Sequence, residues 1–380
     1  MTNASKTYQD QSLQTEIDLK TLREWQLEQG QPVKVIDIRP AQDYNEWHIS
    51  GAENVDAYDA LYARQPGPLA DFEPPPDTPI VAVCFVGQTS KLAANYLRSR
   101  GINALSLTGG MARWSMAWNI SEVPLAKSSA QVIQVRRTGK GCLSYMIASE
   151  GEAAVIDPSV DIQIYLDIAK EKGWDIRTVI DTHVHADHLS RARILEEQSG
   201  AKYLLPAQDR VSFEHDVIND GDTITIGAAH LKALHTPGHT YESVSFMLDE
   251  EALFTGDTLF LSSIGRPDLK ANADETKERA HLLYKTLQNL FDLSGETIIL
   301  PTHTSKPVPF DSIPLISTLN KAKKTIEVLS MAEDEFVDFI LSRIPQTPPN
   351  HLQIVKWNES GSFPQGDVTT LEAGANRCAI

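Results

Sequence analysis

The sequence predicts an α/β protein of two domains, and three observations carry that expectation. Strand-like and helical patterns alternate through the first 125 residues. A short stretch of small and polar residues then interrupts them, and a second, longer alternation fills the rest of the chain. At 380 residues there is room for two or three domains with sizeable cores.

The first unit, residues 1–125, reads as a helix around Leu19 to Gly30, a strand in VKVIDI and a helix around Ala41 to Trp47. Strand VAVCF and helix KLAANYLRSR follow. This order favours a small parallel sheet. The proline-rich segment Gln65 to Pro79 reads as a surface loop, since proline has no N–H to give to a ladder or helix. Ser121 to Ala130, SEVPLAKSSA, reads as the linker. In the second unit, residues 126–380, strands VIQVRR, CLSYMIAS and EAAVIDP precede helix DIQIYLDIAKEK, strand IRTVID, helix HLSRARILEEQ and strand AKYLLP. Strand pairs run on to about Phe254, and helices near Asp274 to Leu290 and Pro314 to Ile344 close the chain. The mixed order implies two sheets between helical layers.

Composition narrows the function. Hydrophobic residues at 41% and charged residues at 22% are ordinary globular usage. A net charge of -17 repels polyanions, so neither nucleic acid nor an anionic membrane is an expected partner, while a local basic pocket for a small anion remains compatible with it. No apolar run approaches the roughly 20 residues that span a bilayer, and the first 20 residues lack a basic start followed by an apolar core. The expected location is the cytoplasm. Cys84, Cys142 and Cys378 do not make a disulfide framework, which agrees with a reducing compartment. Whether the chain forms a homo-oligomer is left open.

Five of the eleven histidines fall in three places, each just after an apolar run. IRTVID leads into His183, His185 and His188, with Asp187 between them; HLKALH leads into His239; TIIL leads into His303. EALF leads in the same way into Asp257. If each run is a strand, all these groups emerge at one edge of a sheet, where α/β proteins place their sites. Burying so many imidazoles and carboxylates without a cation would cost several kcal/mol in unpaired polar groups, so the cluster reads as a metal site. His235, inside LKALHT, reads as structural.

HVHADH, the GH at Gly238 and His239, the GD at Gly256 and Asp257, and the late His303 resemble the metallo-β-lactamase family from about Gln131 onward. The resemblance implies an αββα sandwich with the metals at one edge. It leaves two ligand sets open. In one, His183, His185 and His239 hold one zinc, Asp187, His188 and His303 hold another, and Asp257 bridges them for hydrolysis, as in glyoxalase-II-like thioester hydrolases. In the other, His183, His239 and Asp257 form a two-histidine, one-carboxylate triad for a single Fe(II), and His185, Asp187, His188 and His303 stand outside it. The segment GRPDL, Gly265 to Leu269, is similar to the one that follows the bridging aspartate in persulfide dioxygenases, which places Arg266 and Asp268 in an active-site loop. PPNHLQIVKWNESG and the ending LEAGANRCAI look like members of that family joined to a rhodanese domain. One departure is that His303 is followed by TSKPVPFD, without the tyrosine common there.

The first unit supplies the second constellation. Cys84 directly follows apolar VAV and precedes a helix, a position where backbone N–H groups and the helix dipole favour a thiolate. VIDIRPAQDYNEWHISGAENV and LTGGMARW resemble rhodanese sequence over about Asp18 to Trp118. That resemblance makes Cys84 the sulfur-accepting nucleophile and the backbone of Phe85, Val86, Gly87, Gln88, Thr89 and Ser90 the persulfide cradle. Phe85 and Thr89 stand where many rhodaneses carry arginines, which favours a neutral or organic persulfide over thiosulfate. Cys142 reads as a packed core residue, and Cys378 carries no assigned role. Together the resemblances imply a rhodanese-like α/β domain followed by a metallo-β-lactamase domain. The expected activity is an iron-dependent persulfide dioxygenase that oxidises glutathione persulfide or a similar low-molecular-weight persulfide with dioxygen to sulfite plus thiol. The rival is a two-zinc hydrolase of the glyoxalase II type.

Overall fold

The structure, a computed structural model, describes residues 15–27, 32–304 and 306–380. Its first sheet has five strands, all parallel, in the order Glu16–Ile17, Ala104–Leu107, Ile80–Val83, Lys34–Asp37, Glu53–Asn54. The apolar runs become fully buried strands because helices cover both faces, as a parallel sheet requires. Ile36, Ile80, Ala93 and Leu97 fill one side, and Val81, Leu107, Met111 and Trp114 fill the other. The first helix spans Leu19–Leu27, and its expected end at Gly30 lies outside the described residues. The proline-rich loop holds a short 3-10 turn, Gly67–Ala70, and buries Leu69 and Phe72. That segment is therefore not wholly on the surface.

The stretch read as a linker begins as structure. Asn119–Val123 is an edge strand, antiparallel to Gln131–Arg137, with alternate residues buried. Period-2 burial explains it: Asn119, Ser121 and Val123 point inward, and the inward Asn119 and Ser121 disguised the strand as a polar linker. From this edge a seven-stranded sheet runs through Gln131–Arg137, Cys142–Ser149, Glu152–Ile156, Asp175–Ile180, Lys202–Pro206 and Asp216–Ile218. A six-stranded sheet packs against it, in the order Thr223–Ile226, Ala229–His235, Val244–Leu248, Ala252–Gly256, Ile298–Pro301, Ser317–Thr318. Tyr145, Ile147, Ile180, Leu231, Phe246 and Phe254 form the core between the two sheets. Helices Ile162–Lys172 and Ala192–Ser199 cover the outside of the first, and Ala273–Leu290 with Glu333–Ser342 the outside of the second. The result is an αββα sandwich. Among the described residues no helix is long and apolar enough to cross a membrane.

The C-terminal tail binds the two domains together. Ala373 and Ala375 pack on the core of the first domain, and Arg377 pairs with Glu46 there. Glu372 turns the other way and accepts from Arg191 Nη1 and Nη2 at 2.5 and 2.6 Å, from Arg137 Nη2 at 3.3 Å and from the Leu189 N–H at 2.7 Å. The last residues then pair with the loop carrying Arg266, through Arg266 N to Cys378 O and the Gly265 to Ala379 bridge. Burial alone would raise the Glu372 carboxyl, but the adjoining Arg137 and Arg191 guanidiniums outweigh it and hold the carboxyl well below the usual carboxylate range.

Removing that charge leaves two buried guanidiniums short of a partner. Glu372→Gln should therefore lose ~3 to 5 kcal/mol of stability in a denaturant titration at neutral pH. Because the folded group's proton affinity is depressed, its contribution is present above the unfolded value of about 4.3 and fades as pH falls below it. The gap between wild type and the glutamine variant should narrow on acidification. A gap that holds constant down to pH 2 would show that the ion pair is not its source.

Candidate metal centre

The ligand candidates do gather at one edge of the sandwich. Each sits where a strand ends: His183, His185, Asp187 and His188 after Asp175–Ile180, His239 after Ala229–His235, Asp257 after Ala252–Gly256, and His303 after Ile298–Pro301. All seven are buried. The helix expected from His188 starts only at Ala192, because the preceding residues form the ligand-bearing loop. Asn358 holds that loop by donating to the backbone oxygens of His185 and His188.

Within the cluster the side chains fall into separate groups. His183, His239 and Asp257 bring one ligand atom each to within 4.8 Å of one another. Asp257 Oδ2 lies 3.7 Å from His183 Nε2 and 3.4 Å from His239 Nε2. Their tautomers are fixed from behind. His183 Nδ1 donates to Thr182 Oγ1 (2.9 Å), whose own hydrogen goes to Asp157, and His239 Nδ1 donates to the Arg266 carbonyl (2.7 Å). Both Nε2 lone pairs are left free, as in a histidine ligand. Burial lowers the proton affinity of both rings, and for His183 the neighbouring His185 lowers it further, so both favour the neutral, ligating form. His183 Nε2 and Asp257 Oδ2 are buried with no hydrogen-bond partner. A cation would satisfy both, so the residues present fit a metal ion.

His185 belongs to a different group. Its Nε2 lies 3.0 Å from Asp157 Oδ1 and 3.7 Å from Asp181 Oδ1. Burial alone would lower its proton affinity, but those two carboxylates raise it well above the ordinary value. Asp187, His188, His303 and Cys142 form a third group, with Asp187 3.0 Å from His188 Nδ1, 2.9 Å from His303 Nε2 and 3.4 Å from Cys142 Sγ. His303 Nδ1 also reaches Asp257 Oδ1 at 2.5 Å. In His303 too the carboxylates outweigh burial and raise proton affinity well above normal. Arg266 is fully buried, pairs with Asp268 at 2.7 Å and donates to the carbonyls of Pro345, Gln346 and Arg377. The loop thus aims His239 and anchors the tail at once.

Two cysteines lie at this site. Cys142 was expected in the core and is buried, yet it stands beside Asp187, His188 and His303; burial and Asp187 push its thiol up, while the two histidines bring it down to about 7. Cys378 groups with Asp257 and His303, and burial with the two aspartates pushes its thiol well up. Asp157 and Asp181 also escaped the sequence reading, although each immediately follows an apolar run, the same signal that marked the histidines.

In the first domain Cys84 ends strand Ile80–Val83 and is 1% exposed. Of the expected cradle residues, Ser90 addresses the sulfur directly, through its N–H and its hydroxyl, each at 3.4 Å. Gly87 turns the loop with φ of 83° into helix Gln88–Ser99, and Thr89 and Ser90 are buried in its first turn. Gly110 backs the loop closely, since a Cβ there would meet the Cys84 carbonyl at 2.2 Å. Phe85 and Val86 stand exposed at the rim, with Gln88.

The fold and the site define a metal-dependent enzyme with a sulfurtransferase-type domain in front of it. The chain belongs to the metallo-β-lactamase superfamily, whose model matches residues 137–303, and a rhodanese-like domain model matches residues 18–117. Human mitochondrial persulfide dioxygenase ETHE1 is 30% identical over 193 residues, covering 49% of this chain and 70% of that protein. A hydroxyacylglutathione hydrolase of Maricaulis maris is 36% identical over 122 residues, covering 30% of this chain and 46% of that protein. Among solved structures, a metallo-β-lactamase from Staphylococcus aureus aligns with a TM-score of 0.56 at 30% identity, covering 62% of this chain and 74% of that one. ETHE1 from Myxococcus xanthus aligns with a TM-score of 0.53 at 26% identity, covering 60% and 98%.

If the first group holds the ion, His183→Ala and His239→Ala should each abolish tight one-to-one metal binding by chelator-treated protein, followed by calorimetric titration. His185→Ala should cost no more than about 10- to 100-fold in affinity, the effect of a group that orients a ligand. The opposite ranking would make His185 a direct ligand.

Proposed function

We propose that this chain is a persulfide dioxygenase that takes one Fe(II) at His183, His239 and Asp257, with Cys84 as the sulfur-transferring nucleophile of the attached domain. The observation that carries this reading is the separation of His185 from the other three groups. It leaves a two-histidine, one-carboxylate set, the arrangement associated with open positions on non-haem iron(II). Similarity to persulfide dioxygenases in both sequence and structure supports the choice of reaction. The overall change is RSSH + O2 + H2O → RSH + sulfite + 2 H+, and iron(II) supplies the one-electron chemistry that dioxygen requires.

The chain's own residues do the positioning. Thr182 and the Arg266 carbonyl hold the Nδ1 protons of His183 and His239, so each ring presents Nε2. His303 occupies Asp257 Oδ1 and leaves Oδ2 to face the two rings. Burial of the whole cluster excludes bulk water. In the first domain the Ser90 N–H and hydroxyl hold the Cys84 sulfur in place, each at 3.4 Å. The substrate in this reading is a small thiol persulfide, with dioxygen, in the cytoplasm.

A second reading has its own observation. Asp187, His188 and His303 form a further potential ligand group with Cys142, and His188 Nε2 is buried without a partner. Two zinc ions there would suit a thioester hydrolase. Anaerobic purification with metal analysis and oxygen electrode measurements separates the two. We expect one iron per chain, one dioxygen consumed per glutathione persulfide, loss of uptake in His183→Ala, and loss of sulfur transfer to an acceptor thiol in Cys84→Ser. Two zincs per chain with hydrolysis of an acyl-glutathione and no oxygen uptake would sink the proposal.

A further inference from the structure

A cavity of about 310 Å3 lies between the two domains, and residues next to each site line it. Phe85, the residue after Cys84, and Trp47 line it from the first domain. From the second, Asp187 lines it, 2.9 Å from His303, which in turn is 2.5 Å from Asp257. The tail from Leu371 to Ala375 closes one side, with Arg377 beyond it.

The charges on this wall are nearly all spoken for. Arg39 pairs with Asp37, Arg377 with Glu46, Glu372 with Arg137 and Arg191, and Asp187 with His188 and His303. Asp43 is exposed to solvent. Lys140 is different: it is only 6% exposed, it lines the cavity, and its ammonium makes no hydrogen bond or ion pair among the described residues. The turn that carries it is pinned at the domain junction. Trp47 Nε1 donates to the Gly139 carbonyl (2.8 Å), Gly139 N–H donates to Ala117, and a Cβ at Gly139 would meet the Trp114 carbonyl at 1.8 Å. A cation on the cavity wall with no anion paired to it among the described residues offers an anionic ligand a charge-assisted hydrogen bond. The space is about ten water volumes, more than a lone sulfite needs and at the lower end of the range for small-molecule sites.

We infer that this cavity binds a carboxylate-bearing low-molecular-weight thiol or its persulfide, held by Lys140, and that one bound thiol serves both domains. The inference rests on the persulfide reading of the two sites and goes beyond it by naming the binding residue. A thiolate in the cavity attacks the outer sulfur of a persulfide on Cys84. The new S–S bond forms as the bond to Cys84 breaks, Cys84 leaves as a thiolate, and no oxidant is consumed. The persulfide so made is already in the cavity that Asp187 lines.

The test uses the full metal-loaded chain with S-methylglutathione as an unreactive probe in calorimetry. Lys140→Gln should weaken binding about 10- to 100-fold, the effect of losing a charge-assisted hydrogen bond, and Lys140→Arg should restore most of it. The glutamine variant should also raise KM for glutathione persulfide in oxygen uptake and KM for glutathione as acceptor in sulfur transfer. Both kcat values, and KM for the uncharged persulfide of 2-mercaptoethanol, should stay near wild type. Unchanged probe binding in Lys140→Gln, or equal loss in the arginine and glutamine variants, would overturn the inference, and a rise in only one of the two KM values would overturn the shared site. Lys140-dependent probe binding without any oxygen uptake would uphold the cavity as a thiol site and remove the dioxygenase reading. Oxygen uptake with probe binding indifferent to Lys140 would do the reverse.

Discussion

The arrangement at the metal centre depends on one carboxylate, Asp157. It accepts from Thr182 N–H (2.7 Å), Thr182 Oγ1 (2.9 Å), His185 Nε2 (3.0 Å) and Thr302 Oγ1 (3.1 Å). These four donors come from segments that end strands in both sheets, so Asp157 ties the sandwich shut at the edge where the ligands emerge. It also sorts the histidines. Through Thr182 it fixes the His183 proton on Nδ1, and directly it draws His185 away from the group formed by His183, His239 and Asp257. Two histidines two positions apart thereby acquire opposite tendencies: burial and its neighbours lower the proton affinity of the first, and carboxylates raise that of the second.

The tail provides the other constraint. Glu372 joins Arg137, at the end of a sheet strand, to Arg191 and to the Leu189 N–H just after the histidine motif. A few residues later Arg377 reaches the first domain at Glu46 and Cys378 reaches the metal group. One stretch of fewer than ten residues therefore touches the first domain, the ligand loop and the site itself. Buried ion pairs of this kind add little net stability over apolar packing, but they are intolerant of misregister. That suits a segment whose job is to set the position of one domain against another.

How far the sequence foretold this differs by level. The strands and helices were legible because apolar runs and alternation are strong along most of the chain, and the ligand candidates were legible because each follows such a run. Asn119–Val123 was misread because an edge strand with serine and asparagine inward has the composition of a linker. Cys142 was read as core and is indeed buried, but its approach to Asp187 depends on a pairing between its strand and the segment at His303, residues 161 positions apart. Glu372 and Lys140 look like ordinary surface charges in sequence, and only tertiary packing makes them buried. The partition of the histidines was not legible at all, since it is decided by carboxylates that the motif does not contain.

That partition bears on the number of ions the site takes. His183 and His239 have lowered proton affinity and offer lone pairs at no protonic cost. His185, His188 and His303 each sit against a carboxylate that raises their proton affinity despite burial. A metal ion entering among these three must displace protons that Asp157, Asp181 and Asp187 stabilise, and must then compete for those same carboxylates. The first ion meets the unpartnered His183 Nε2 and Asp257 Oδ2, whereas a second meets the unpartnered His188 Nε2 beside an Asp187 already engaged by His188 Nδ1 and His303 Nε2. The same seven ligand letters can therefore describe a two-ion hydrolase or a one-ion oxygenase, and Asp157 and Asp187 set the protonic cost of the second ion.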